Sequence, residues 1–282
     1  MIRRGAPRGT VVDADCVNCS ARDRVKAGMP RHFLRPAVFT VLTFASMSAL
    51  ATADTEHVSR MVSVGPGGTL RLNNFSGKVT ITGSDRSDIS IDAVRHGTRD
   101  LLNRVKLDIR SEASTVHIDA NKRDRSWFDW GRNNVVETDF EIRVPRRTNL
   151  ALTLFSASLD VQGVDGSHTI QTFSSQARLD DVNGSIRAKS FSGAIQIRAT
   201  AWRDNQTIDV ETFSGRVELR VPDSARGRVL FESFSGNLNT ALPLTVETSR
   251  RRRISGRLGS GAEADGGHIS VRTFSGSVRL DR

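Results

Sequence analysis

Along most of the chain apolar and polar residues alternate with a period of two that breaks and restarts at regular intervals. In TIDVETFSGRVELRV, residues 207–221, Ile208, Val210 and Thr212 share one parity, and Phe213, Gly215, Val217, Leu219 and Val221 share the other. The same switch recurs at Ile186, Ala188, Ser190 then Phe191, Gly193, Ile195, Ile197, and at Ile269, Val271, Thr273 then Phe274, Gly276, Val278, Leu280. Strand side chains alternate between two faces. A parity change at one residue therefore marks a bulge or corner where the chain turns while keeping its apolar side inward. Helical periodicity is confined to a turn or so at Thr98 to Arg104.

The switches coincide with a repeated tripeptide. Phe-Ser-Gly begins at Phe75, Phe191, Phe213, Phe234 and Phe274, with variants FSA at Phe155, FSS at Phe173 and ISG at Ile254. From Phe155 onward the intervals are 18, 18, 22, 21, 20 and 20 residues. Each repeat reads as strand, corner, strand, then a turn such as Gly163-Val164-Asp165-Gly166 or Asp181-Val182-Asn183-Gly184, in which Gly, Asn and Asp supply the backbone conformations a turn needs. Two short strands per period of about 20 residues predict one rung of a parallel β-solenoid. The predicted fold is all-β, a single-stranded right-handed parallel β-helix-like solenoid. An antiparallel sandwich or a propeller explains neither the period nor the flip. Stacking the Phe of each rung on the next predicts a buried hydrophobic spine. With rungs about 4.8 Å apart, seven of them make a rod about 35 Å long. Residues 54 to about 145 repeat less regularly and read as the first coils plus an insertion of the same domain, regular repeats starting near 150.

The N-terminus modifies the overall composition. From Met29 a short basic region (Arg31, Arg35) precedes an apolar stretch from Ala37 to Leu50 and the triplets Ala49-Leu50-Ala51 and Ala51-Thr52-Ala53, the tripartite form of a secretory signal peptide. Residues 1–28 then read as a leader ahead of the true start, 29–53 as a signal peptide cleaved near Ala51 or Ala53, and 54–282 as the solenoid. The apolar run is shorter than the 18 or so residues a membrane span needs. Both cysteines, Cys16 and Cys19, fall in the leader, so the expected mature chain forms no disulfide. The formal charge of +10 falls by half on trimming, and the remainder calls for no nucleic-acid partner.

The segment 135–163, VVETDFEIRVPRRTNLALTLFSASLDVQG, with Arg220-Val221-Pro222 to Leu238, Gly256-Arg257-Leu258-Gly259-Ser260-Gly261 and His268 to Gly276, resembles the Toastrack, or adhesin-type, domain of bacterial envelope proteins. The resemblance covers roughly residues 58 to 282. It implies a single-stranded right-handed β-helix-like fold, an extracytoplasmic location and a scaffold, adhesin-like or stress-related interaction role, with no catalytic residues to carry over. Phe at the first position of x-S-G, where the family often has Val or Thr, and the run of arginines at 250–253 depart from the pattern.

Two clusters are candidate partner sites. Arg250, Arg251, Arg252 and Arg253 form the densest charge run. Guanidinium forks suit phosphate or carboxylate, although charge runs are more often solvated loops. Trp127, Phe128 and Trp130 lie in a polar, turn-like segment, where aromatic rings serve sugars or a protein partner, or else cover the core. For catalysis, Asp160, Asp165, Asp180 and Asp181 are dense enough to resemble the paired carboxylates of β-helix hydrolases and lyases. They stand at turn positions where Asp bonds its own backbone. His57, His96, His117, His168 and His268 show no metal-ligand spacing and read as exposed strand residues. The expected function is a periplasmic or secreted, non-enzymatic adhesin-like or scaffold protein without cofactor or metal, binding envelope proteins or acidic surface glycans. A carbohydrate-active β-helix enzyme and an anion-binding module are the alternatives. Because the strand from Phe274 to Leu280 runs almost to the terminus, end-to-end self-association is a further expectation.

Overall fold

The parity switches are bends in long strands. A computed structural model describes residues 54–65, 67–123, 135–259 and 266–282. Residues 1–53, with the expected leader and signal peptide and both cysteines, and the aromatic candidates Trp127, Phe128 and Trp130 lie outside the described residues. In chain order the elements are β1 (Asp54–Ser63), β2 (Thr69–Ser84), β3 (Asp88–Gly97), a short helix α1 (Arg99–Arg104), β4 (Val105–Glu112), β5 (Thr115–Arg123), β6 (Glu137–Pro145), β7 (Asn149–Gln162), β8 (His168–Ser174), β9 (Ala177–Asp180), β10 (Ile186–Ser192), β11 (Ile195–Arg198), β12 (Thr207–Arg220), β13 (Gly227–Ser233), β14 (Asn237–Thr240), β15 (Leu244–Arg250), β16 (Arg253–Leu258) and β17 (Gly267–Asp281).

Each regular coil has a first arm before the Phe-Ser-Gly corner and a second arm after it, and like arms of successive coils pair in parallel. Register puts like on like. Ile186, Ile208 and Ile269 are neighbours in the first arm, and Ile195, Val217 and Val278 in the second. All six are buried, on inward-facing columns of one continuous core. In β12 the inward residues are Ile208, Val210 and Thr212 before the corner and Val217 and Leu219 after it. The parity flip is therefore a real corner.

The corner explains its glycine. Gly193 has φ of +131°, and a Cβ there would lie 2.0 Å from the Ser175 carbonyl oxygen of the adjacent coil. The turn glycine Gly184 is similar, with φ of +104° and the Gly166 carbonyl 2.2 Å from a would-be Cβ.

Three expectations change. The Phe spine exists but lies outside the core: Phe155, Phe173, Phe191, Phe213, Phe234 and Phe274 are 43–52% exposed, because the inward position at the corner belongs to the preceding residue, as with Thr172, Thr212 and Thr273. Ile254 is not a rung. It sits on β16, antiparallel to β13 and opposite Phe231. The strand holding Phe274 to Leu280 is interior: β17 lies between β12 on one side and β13 and β14 on the other, which removes the basis for end-to-end pairing through that strand. The stack instead ends in antiparallel strands. β16 and β15 cover β13, while at the opposite end β4 covers β5, and β3 and β1 follow β6.

His168, expected to be exposed, is fully buried. It occupies the first-arm column beside Leu150 and Ile186, with Nε2 3.2 Å from the Val164 carbonyl oxygen. Burial pushes its pKa down to about 4 from 6.5, so the folded chain holds it neutral.

Two outcomes follow. Gly193→Ala is expected to cost at least about 2 kcal/mol, since both the positive φ and the carbonyl contact oppose a side chain; the urea midpoint measures it. For His168, the unfolded chain takes up a proton between pH 6.5 and 4 and the folded chain does not. Stability therefore falls as pH falls through that window, by on the order of 3 kcal/mol at its lower end. His168→Leu should flatten the urea midpoint between pH 7 and 4.5 while leaving the further loss below pH 4.

Candidate functional site

The corner residues form a ladder on the outer surface. Phe75, Phe155, Phe173, Phe191, Phe213, Phe274 and Phe234 stack in that order, with centroids 4.5–5.0 Å apart. Beyond the first pair the rings are parallel within 4°. The spacing is that of the strands beneath, and stacking adds roughly 0.5–1.5 kcal/mol per pair to the area buried. At the Phe234 end the guanidinium of Arg252 lies 4.1 Å from the ring centroid, a cation–π contact.

Beside the ladder runs a row of side chains two residues before each Phe. Register makes Asp119, Asn73, Thr153, Gln171, Lys189, Glu211, Arg272, Glu232 and Arg253 consecutive neighbours across the first arms. The row changes character at Lys189. From there the signs alternate and ion pairs close. Lys189 Nζ is 2.8 Å from Glu211, Arg272 is 2.7 Å from Glu211 and 3.5 Å from Glu232, and Arg253 is 3.5 Å from Glu232. Glu211 has its pKa lowered, chiefly by the Lys189 hydrogen bond. On the other side of Lys189 the row is uncharged until Asp119.

That uncharged part floors a groove. One hollow of about 500 Å³ is bounded by Arg71, Asp108, Arg110 and His117; a second, of about 410 Å³, is bounded by Asn74, Asn121, Leu154 and the edges of Phe75, Phe155 and Phe173. Both share Asp119, Asn73, Thr153 and Gln171. The wall is β4 and β5, where Arg110 and Lys122 both bond Asp108 and lower its pKa, the Arg110 hydrogen bond contributing most.

The residues singled out from sequence are dispersed. Arg250 and Arg253 face each other at the end of the β15–β16 hairpin, with Arg251 and Arg252 in its turn. Arg252 and Arg253 already have the partners named above. Asp180 bonds Arg198, Asp165 accepts from Asn183 Nδ2 at 2.8 Å, and Asp181 accepts at 2.5 Å from the Thr200 hydroxyl, which also lies 3.3 Å from Asn183 Oδ1, so Asp165 and Asp181 belong to one turn network. Among the described residues no group of three or more His, Cys, Asp or Glu could hold a metal ion, and no helix is long and apolar enough to cross a membrane. Asn73, Thr153 and Gln171 were missed, although aligning the repeats on Phe would have shown the neutral-to-charged change at Lys189.

An all-β solenoid with an aromatic ladder along one outer edge is the class defined by this geometry. Residues 149–281 match the family model Toastrack DUF4097. Among solved structures, a candidate cell adhesion protein from Clostridium sporogenes is 13% identical, covering 80% of this chain and 99% of its own, with a TM-score of 0.45. A candidate adhesin from Bacteroides fragilis is 10% identical, with coverage of 80% and 97% and a TM-score of 0.29. A candidate lipid binding protein from Parabacteroides distasonis is 11% identical, with coverage of 80% and 96% and a TM-score of 0.30. No curated protein matches the chain.

The charge row makes its own prediction. Arg272→Glu would place three carboxylates in successive register positions. It should destabilise the chain by on the order of 1 kcal/mol at low salt, discounted for partial exposure. Most of that loss should disappear in thermal melts at 1 M NaCl, where charges are screened within about 3 Å.

Proposed function

We propose that this protein is a non-enzymatic, adhesin-like binding protein of the periplasm or cell exterior that holds envelope partners on the outer face of its first arms. The carrying observation is the Phe ladder: six rings, each about half exposed, form a continuous apolar edge on the surface, where the core gains little from aromatic residues. Contiguous exposed apolar surface of that kind belongs to interaction sites. The signal-peptide pattern at residues 29–53 supports export, and the engagement of Asp165, Asp180 and Asp181 within the chain supports binding rather than hydrolysis. The anion-binding alternative has less support, since two arginines of the run are engaged within the chain.

The test separates binding from stability. Phe191→Ser with Phe213→Ser should lower the melting temperature by several degrees yet leave the β circular-dichroism spectrum intact, because the rings lie outside the core. Retention of the purified chain on isolated cell envelopes should fall at least about tenfold, the loss of roughly 1.4 kcal/mol of contact. Undiminished retention by the folded double variant would reduce the ladder to a structural role.

A further inference from the structure

The groove at the Phe75 end gathers two buried side-chain amide atoms that lack partners. Asn74 donates from Nδ2 to the Thr138 carbonyl at 3.0 Å. That bond fixes the orientation of the amide and leaves Oδ1, buried, without a donor. Asn121 is held the opposite way: its Oδ1 accepts the Val136 N–H at 3.1 Å, and its Nδ2, also buried, has no acceptor. Asn74 is 4% exposed, and both residues line the same hollow with Leu154, Phe155 and Phe173. Thr172, 8% exposed and also lining it, has an unpartnered hydroxyl, as do Thr212 and Thr273 at the same corner position of other coils, so the two amides are what set this hollow apart. Buried polar groups are rarely left unmade, and each costs roughly 1–3 kcal/mol when it is.

The unmet set is one acceptor, one donor and an apolar wall in a single hollow. An acetamido group offers the complement: an N–H for Asn74 Oδ1, a carbonyl for Asn121 Nδ2 and a methyl for Leu154 and the Phe edges. The adjoining floor extends the match. Asn73, Thr153 and Gln171 are in register on adjacent strands, so amide and hydroxyl groups repeat about every 4.8 Å along it. Such a comb suits hydroxyls, which both donate and accept. Charge does not direct the choice toward an anion in the Asn74–Asn121 hollow, whose lining includes Asp119 and no lysine or arginine; Arg71 borders the adjoining hollow. The two overlapping hollows lie in the size range of ligand sites, about 300–1,000 Å³.

We propose that this groove binds an N-acetylated amino-sugar chain, with the acetamido group between Asn74 and Asn121 and the sugar hydroxyls along Asn73, Thr153 and Gln171. The assignment rests on the adhesin-like reading and names its ligand class.

The test uses the chain from residue 54 to 282 with chitohexaose as probe and cellohexaose, the same backbone without acetamido groups, as control, in titration calorimetry. Saturable binding of chitohexaose at least about tenfold tighter than cellohexaose is expected, from two hydrogen bonds that the control cannot make. Asn121→Asp keeps the acceptor for Val136 but replaces the donor, and should remove that preference. Gln171→Ala, an exposed substitution that leaves the core untouched, should weaken both sugars. Equal affinity for the two sugars, no binding of either, or a preference unchanged in Asn121→Asp would each overturn the assignment. If chitohexaose fails while the wild-type chain is still retained on envelopes through its Phe ladder, the ligand class is wrong and the adhesin-like reading stands. If retention fails as well, both are lost.

Discussion

In-register parallel pairing between coils is the constraint on which the remaining features depend. Each first arm hydrogen-bonds the next at the same position in the repeat, so any residue type recurring in sequence becomes a line in space at the strand spacing. Inward, that yields the Ile and Val columns of the core. Outward, it yields the Phe ladder and the row that ends in alternating charge. The glycine corners answer to the same spacing, since stacked backbones approach so closely there that a Cβ at Gly215 would meet the Gly193 carbonyl at 2.1 Å.

The position of β17 decides whether the charges can pair. Stacked in chain order, the coil of Glu211 would lie against that of Glu232, carboxylate opposite carboxylate, which is unfavourable on a sheet. With β17 between them, Arg272 reaches both at 2.7 and 3.5 Å. The same insertion puts Phe274 between Phe213 and Phe234 and continues the ladder without a gap. It leaves the exposed edge at that end to β15, whose pairing with β16 is irregular between Val246 and Thr248. A bulge and charged residues on an edge discourage further strands from adding, so the end of the stack is protected by design of the edge rather than by length.

Much of this was legible in the sequence because period-two alternation and its parity switch report directly on which side chains face the core. Ile208, Val210, Val217 and Leu219 were assigned inward and are. The Phe residues were misplaced for a specific reason. Parity labels two faces but does not say at which residue the corner turns, and the chain turns after Thr212, leaving Phe213 outside. The order of the last coils was not legible either, because repeat spacing gives the same signature whether coils stack in sequence or one is inserted; Ile254 was drawn into the ladder by its Ser-Gly neighbours although β16 runs antiparallel. His168 lacked any ligand spacing, and its burial follows only from its register with Leu150 and Ile186. The groove residues were legible in principle, as a break in composition two positions before Phe, but an Asn-Thr-Gln series carries meaning only once register makes them neighbours.

A solenoid exposes long rows that would be uniform if each coil were the same, so local differences along a row define where it can engage something else. From Lys189 to Arg253 the ion pairs satisfy one another, and a partner would have to break them or match several at once. From Asn73 to Gln171 nothing is committed across the row, the β4–β5 wall makes the surface concave, and amide atoms beneath the Phe edges lack partners. The desolvation cost of binding is lowest where polar groups already lack water and partners. The charged half therefore stabilises the stack and the neutral half is the part free to recognise a ligand, although both are built from the same repeat.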